Sequence, residues 1–452
     1  MPFSIDPARG LAAAGVLAAY AGLCAGVWRR ERRRQAARRG SGGAGAGLLV
    51  AYASQTGFAE ELAGEALAVF TAAGLAAEIC PLGEVDRQRL LRSRQVLFIV
   101  ATAGEGDPPD NALQFARSLL GQRLPLGDLH YGLLALGDSD YRQFCGFGRL
   151  LGRWLEACGA TPLFAPIEVD RAAPAALASW RQQLAHLAGT ADVPDWQAPA
   201  FADWQLLARR QLNPGSTGAP LFHLEFAPAG GQPLPDWQAG DLAQVLAPGD
   251  PSRPRDYSLA SIPGDGRVHL LVRLQRDADG RSGIASGWLC EQLVPGQCAA
   301  LRLRPHRNFR LGDNAGRPLI LIGSGSGMAG LRAHLRARAA AGDGRNWLIF
   351  GERNAATDFL YRDEIAAWQQ ADLIVRADFA FSRDQSEKIY VQDCLLRAAD
   401  SLRDWVAGGA AIYVCGSARG MGAAVDAAMT TIFGAEQRAV LLGEGRYRRD
   451  IY

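Results

Sequence analysis

The sequence has no CxxC pair. Its eight cysteines stand scattered at 24, 80, 145, 158, 290, 298, 394 and 415, without His/Cys ligand spacing. Neither a disulfide scaffold nor a zinc framework is expected, so no metal is assigned. Free thiols fit a reducing compartment such as the cytosol. Net charge is also scarce: +2 over 452 residues points to no nucleic-acid partner. Residues 10–28, GLAAAGVLAAYAGLCAGVW, lack charge altogether, and the block after Trp28 holds seven arginines against Glu31.

That uncharged run is just long enough to cross a bilayer as a helix, and it ends on an interfacial tryptophan. A cleavable signal peptide would carry its positive charge before the apolar run, whereas here the dense charge follows it. The reading is a single-pass anchor in the inner (plasma) membrane, with the amino terminus outside and the catalytic domains cytoplasmic. An Ala-rich helix lying on a membrane surface or on another protein is the alternative. Ser41 to Gly47, SGGAGAG, reads as a tether.

What is present, 48% hydrophobic and 21% charged residues, can bury several cores, and the length suits three domains beyond the anchor. The expected division is 1–47 anchor and tether, 48–187 α/β domain, 188–219 connector, 220–314 barrel and 315–452 nucleotide domain. In the first domain, LLVAYA (48–53) suits a buried parallel strand and 58–70 an amphipathic helix, with further strands expected at 76–80, 96–101, 131–136 and 163–169. This predicts a doubly wound sheet with ligands at the carboxyl ends of its strands.

Between the first strand and its helix lies Ser54-Gln55-Thr56-Gly57, a potential anion nest without the lysine of a triphosphate loop. A monophosphate suits it better than ATP, although an N-cap and turn would use the same residues. Residues 101–111 and 136–148, ATAGEGDPPDN and LGDSDYRQFCGFG, put glycine and small polar groups where backbone could meet a flat ring. Tyr141 and Phe144 could cover such a ring or simply pack in the core. The acids Glu105, Asp107, Asp110, Asp138 and Asp140 cluster nearby, as solvated loop charge or as a steering face for a basic partner.

These motifs resemble the FMN-binding flavodoxin domain of the diflavin reductase family, which includes NADPH-haemoprotein reductases and the sulfite reductase flavoprotein. The resemblance implies that Ser54, Gln55, Thr56 and Gly57 hold the FMN phosphate. Thr102, Gly104, Gly106 and Asp107 would approach the ring and ribityl chain, with Gly137, Tyr141 and Phe144 on the other loop. Ala103 stands where haemoprotein reductases usually place an aromatic, so stacking would fall mainly to Tyr141.

Extended runs at 220–226, 241–246, 256–260, 268–274 and 298–303, separated by glycine and proline, predict a small antiparallel barrel. In Arg255-Asp256-Tyr257-Ser258, Arg255 and Tyr257 share a strand face; arginine suits pyrophosphate and tyrosine can line a flavin. Gly283 to Ser286 start a helix with free N–H groups. This resembles the FAD barrel of ferredoxin-reductase-like enzymes, which implies FAD at Arg255, Tyr257, Ser258, Gly283 and Ser286, with Ser258 near flavin N5. Only APGDPSRP separates the 241–246 strand from Arg255, so the helical connecting domain usual in the family has no room here.

A strand at 319–322 runs into Gly323-Ser324-Gly325-Ser326-Gly327, a weak signal by itself. Phe350-Gly351-Glu352-Arg353, the 381–392 segment and 412–416 follow at later strand ends. Ser382, Arg383 and Lys388 offer a neutral donor and two cations for a ribose 2'-phosphate, although a solvated charged turn would look alike. The module resembles the NADPH-binding half of the sulfite reductase flavoprotein. That implies pyrophosphate at Gly323, Gly325 and Gly327, adenine-end binding by Ser382, Arg383, Lys388, Tyr390 and Gln392, a further cofactor-binding residue in Arg353, and Cys415 beside the nicotinamide. Ser326 replaces the usual threonine, and Met328-Ala329-Gly330 replaces Ile-Ala-Pro, so a less rigid helix start is expected. The ending RYRRDIY implies Asp450 near Ser258 and Cys415, with Tyr452 over the FAD ring.

The function implied is an NADPH-dependent diflavin reductase with FAD and FMN, serving a haemoprotein or another redox protein at the membrane. Direct reduction of a ferric complex or quinone, and a flavin-bearing scaffold without turnover, are the alternatives.

Overall fold

The computed structural model describes residues 47–189 and 200–452. The expected anchor at 10–28 and most of the 41–47 tether lie outside the described residues. Among those described, no helix is long and apolar enough to cross a membrane.

The first domain is a six-stranded parallel sheet of β1 (Leu48–Ala53), β2 (Ala77–Pro81), β3 (Gln95–Ala101), β4 (His130–Gly137), β5 (Thr161–Pro162) and β6 (Ile167–Asp170). The order is β2-β1-β3-β4-β5, with β6 also on β4. Its central strands are apolar on both faces because both are covered. Phe98 and Val100 point to one core with Phe115, Phe147 and Leu151, while Val50, Leu97 and Ile99 point to another with Leu62 and Trp180. The chain reverses direction in the sheet between β1 and β3, which opens a crevice at their carboxyl ends. The expected strand at 163–169 divides into β5 and β6 around Leu163–Pro166.

The second domain is antiparallel, in the order β10-β9-β12-β7-β8-β11. Its strands are β7 (Ala202–Gln211), β8 (Leu221–Pro228), β9 (Leu242–Ala247), β10 (Asp250–Ser258), β11 (Val268–Arg273) and β12 (Cys298–Arg304). A bridge between Leu259 and Leu270 joins the two edges, so the sheet curls closed around Leu206, Phe226, Val245, Leu270 and Leu301. β7 comes from the stretch read as connector (188–219), and it pairs with both β8 and β12. Its charged LARRQ end hid the apolar partners Trp204 and Leu206 that bury it.

The third domain is a parallel sheet ordered β15-β14-β13-β16-β17. It comprises β13 (Leu319–Ser324), β14 (Asn346–Glu352), β15 (Ile374–Phe381), β16 (Ala411–Gly416) and β17 (Tyr447–Ile451). β17 ends one residue before the carboxyl terminus, so the tail read as RYRRDIY is an edge strand paired with β16.

Candidate functional site

A cavity of about 590 Å³ opens at the carboxyl ends of β1, β3 and β4. Ser54, Gln55, Thr56, Thr102, Gly104, Asp107, Gly137 and Tyr141 line it, together with Ala103 and Cys145. Gly57 caps the helix Phe58–Ala72 in a left-handed conformation, and its N–H donates to Ser54 Oγ at 2.8 Å. Gly106 and Phe144 are not in the wall. Gly106 packs on Gln143, and Arg149 sits 5.5 Å over the Phe144 ring. Of Tyr141 and Phe144, Tyr141 lines the cavity. Thr102 Oγ1 is buried without a partner although it faces this cavity, which fits a ligand with polar atoms at that depth. Burial pushes the Cys145 thiol up to about 12, with Glu168 adding to it, so the cavity wall carries a neutral sulfur.

The far wall was not legible in the sequence. Gly422, Ala423, Asp426, Arg449 and Ile451 close the cavity from the third domain. Arg449 pairs with Asp110 of the first domain and with Asp426, and its carbonyl accepts from Gln55 Nε2 at 3.2 Å. Asp138 and Asp140 pair with Arg171 and with Arg253 of the barrel at 3.2–3.6 Å. Of the five acids read as a steering face, Asp110, Asp138 and Asp140 are thus in ion pairs within the chain, and Glu105 accepts from Arg142 N–H at 3.3 Å.

On the other side of β17 the alternation of the strand directs Asp450 away from that cavity. Ser258 Oγ donates to Asp450 Oδ2 at 2.6 Å, and Cys415 Sγ donates to the same oxygen at 3.5 Å. All three groups are buried. Burial, reinforced by the Asp450 carboxylate, holds the Cys415 thiol well above its ordinary range, so it stays protonated. Tyr452 N–H donates to Gly416 O and its hydroxyl to Ser326 Oγ at 3.0 Å, while the side chain remains 49% exposed. That is an anchored but displaceable ring.

Arg255 and Tyr257 stand on β10, where Arg255 NH1 donates to Arg253 O and its NH2 lies 3.5 Å from Asp250. Burial drives the Tyr257 phenol pKa up. Gly283 precedes the single turn Ile284–Gly287, and Ser286 Oγ accepts from Gln275 N–H at 3.1 Å, which leaves its own hydrogen available to donate. A buried carboxylate held by a hydroxyl and a thiol beside an arginine-bearing strand fits a flavin with a pyrophosphate tail.

The glycine-rich loop has a structural reason that the sequence did not disclose. A Cβ on Gly327 would fall 2.0 Å from Cys415 O, and one on Gly323 would fall 2.8 Å from the same atom. Gly325 is in the left-handed region (φ 58). Gly330 likewise has Phe309 at 2.9 Å and Cys415 Sγ at 3.2 Å from the place of its Cβ. A larger residue at that position would press on the Phe309 ring and on Cys415 Sγ. Ser382 N–H donates to Glu352 O and Arg383 N–H to Arg353 O, which brings the ends of β14 and β15 together. Arg383, Lys388 and Tyr390 are exposed there, with Gln392 in the first turn of the helix Val391–Arg397. Lys388 is the only lysine in the chain. Among the described residues, Arg353, Arg383 and Lys388 form no ion pair, an arrangement able to receive an anionic ligand.

A separate His223, Glu225 and His269 cluster forms where β8 and β11 meet the third domain. Burial, with other charges, pushes His223 down to about 3 and His269 to about 4, and Arg332 sits 3.2 Å from His269 Nδ1. The arginine supplies the positive charge at this seam.

Comparison with known proteins agrees with this layout. Residues 50–180 match the flavodoxin family model, and 321–427 match that of the oxidoreductase NAD-binding domain. The sulfite reductase [NADPH] flavoprotein alpha-component of Neisseria meningitidis serogroup B is 28% identical, with 90% of this chain and 89% of that protein covered. That of Vibrio vulnificus is also 28% identical, with 90% and 87% covered. These alignments run over 539 and 541 positions against a chain of 452 residues, so the relatives carry a segment this chain lacks.

Proposed function

We propose, for a chain that belongs to the diflavin reductase family, that it passes electrons from NADPH through FAD and FMN to a haemoprotein or another one-electron protein acceptor. It is an NADPH-dependent oxidoreductase whose cofactors are FMN, FAD and NADPH. The observation that carries the reading is β17, which puts Arg449 and Ile451 in the wall of the FMN cavity and Asp450 on Ser258 and Cys415. One five-residue strand therefore borders both proposed flavin sites.

When bound, the flavins supply two-electron acceptance from nicotinamide and one-electron release. The chain's own residues position and protect. Asp450 orients the Ser258 hydroxyl and, as a fixed buried charge, favours positive charge developing beside it. Cys415, kept as a thiol, fills the adjacent space without adding a second anion. Tyr452 covers the site until a ligand displaces it. Exposed Arg383 and Lys388 would hold a 2'-phosphate and so favour NADPH over NADH.

The acceptor reading draws support from the relatives, named as flavoprotein alpha-components of NADPH sulfite reductase. Placement at the inner membrane, through the uncharged run 10–28 and its arginine flank, completes the proposal. The test uses the full chain under nitrogen with one FAD and one FMN. NADPH should bleach both flavins and drive reduction of a small haemoprotein, and selective FMN removal should abolish haem reduction while sparing ferricyanide. Haem reduction that persists without FMN would overturn the relay.

A further inference from the structure

We infer that Arg304 is a phosphate-binding residue of the FMN site, contributed across the domain interface by the barrel. The inference rests on the assignment of the Ser54–Gly57 loop to FMN. β12 ends at Arg304, and the chain continues as Pro305-His306-Arg307-Asn308 along that loop. Asn308 Nδ2 donates to Ser54 O at 2.6 Å, and His306 Nε2 lies 2.9 Å from Gln55 O. Pro305 O and Arg304 NH1 stand 3.1 and 3.7 Å from where a Cβ on Gly57 would be.

Charge accounting singles out Arg304. The loop Ser54–Phe58 has no cationic side chain, and the helix it starts opens with Glu60 and Glu61. Arg307 pairs with Glu60 and Arg302 with Glu61, each at 3.2 Å. Arg304, between them in sequence, is 1% exposed and spends only NH2 on a carboxylate, that of Asp256. Its NH1 and Nε are buried without a partner. Dry guanidinium donors are costly, and a phosphate in the nest beside Gly57 offers the acceptors and the charge that the protein does not. Gly57 N–H is already spent on Ser54 Oγ, and the loop carries no positive charge of its own, so a dianion there is undercompensated by the loop alone.

One consequence is linkage. If the docked barrel supplies a phosphate ligand, FMN binding favours docking by the same factor that docking favours FMN. The experiment compares FMN with riboflavin, which lacks the phosphate, on the deflavinated full chain of wild type, R304Q, R304K and D256N. R304Q should weaken FMN roughly 10- to 100-fold and leave riboflavin unchanged, with R304K recovering part of the loss. D256N, which frees NH2, should keep or raise the preference for FMN. Equal weakening of both ligands by R304Q, or an unchanged FMN affinity, would overturn the inference, as would a fall in preference in D256N. Should R304Q fail to fold, R304K and D256N decide by the same ratio. A wild-type chain that binds no FMN would instead defeat the assignment of the loop.

Discussion

The two glycine-bearing loops, Ser54–Gly57 and Gly323–Gly327, both leave a parallel strand and enter a helix, yet their surroundings differ. The first faces a cavity of about 590 Å³, and its carbonyls are held by Asn308 and His306 from another domain. The second lies against its own sheet, with Gly327 pressed onto Cys415 O. In the first loop the residue types suit an anion and the tertiary fold adds the clamp. In the second, packing already demands glycine before any nucleotide is considered, so a glycine-rich motif there is weaker evidence of binding than its spacing suggests.

Substitutions can break this contrast. G327A should have the largest effect, because the obstructing atom is a backbone carbonyl that has no cheap way to yield. We expect a loss of about 3 kcal/mol or more, read as a lower thermal midpoint of the reductase half with flavodoxin-domain unfolding little changed. A G327A protein with wild-type stability and only weaker NADPH binding would erase the distinction between the loops.

Next in size, D450A removes the acceptor that orients Ser258 and should slow NADPH-driven bleaching of FAD by about 10²- to 10³-fold in stopped flow. FMN content should not change, since Asp450 points away from that cavity. Parallel loss of FMN would mean that β17 does not separate the two sites.

The smallest effect sharpens the comparison at the nucleotide end. Lys388, as the only lysine, is a unique side-chain target for an amine reagent. NADPH should protect it from labelling roughly 10- to 100-fold better than NADH does at equal concentration, in line with a charge-assisted contact of about 1.5–3 kcal/mol to a phosphate. Equal protection by both nucleotides would detach Lys388 from the 2'-phosphate.

Much of this molecule was legible along the chain because local pattern and local chemistry coincide. Apolar runs such as LLVAYA and QVLFIVA are buried on both sides of a parallel sheet, and ligand-type residues at strand ends line the crevice that strand order opens. β7 was missed because one polar-looking edge, LARRQ, masks the buried Trp204 and Leu206. Phe144 was assigned to the ring on its type and on the resemblance, but it stands outside the cavity wall, under Arg149 and next to the left-handed turn at Cys145. The Arg302–Asn308 segment carried a visible cluster of cations without any clue to its partners, which lie some 250 residues earlier.

The sequence by itself determined the three-domain order, the residue chemistry of each cradle and the short route from β9 to Arg255. These follow from periodicity, from motifs whose residues are neighbours in the chain and from their resemblance to the diflavin reductase family. Only the tertiary structure decided that Arg449, Ile451 and Asp450 divide their faces between two sites, that Arg304 stands against Gly57, and that Gly330 lies against Cys415. Each depends on the register of one strand against a surface far away in sequence, and a one-residue slip would exchange the faces.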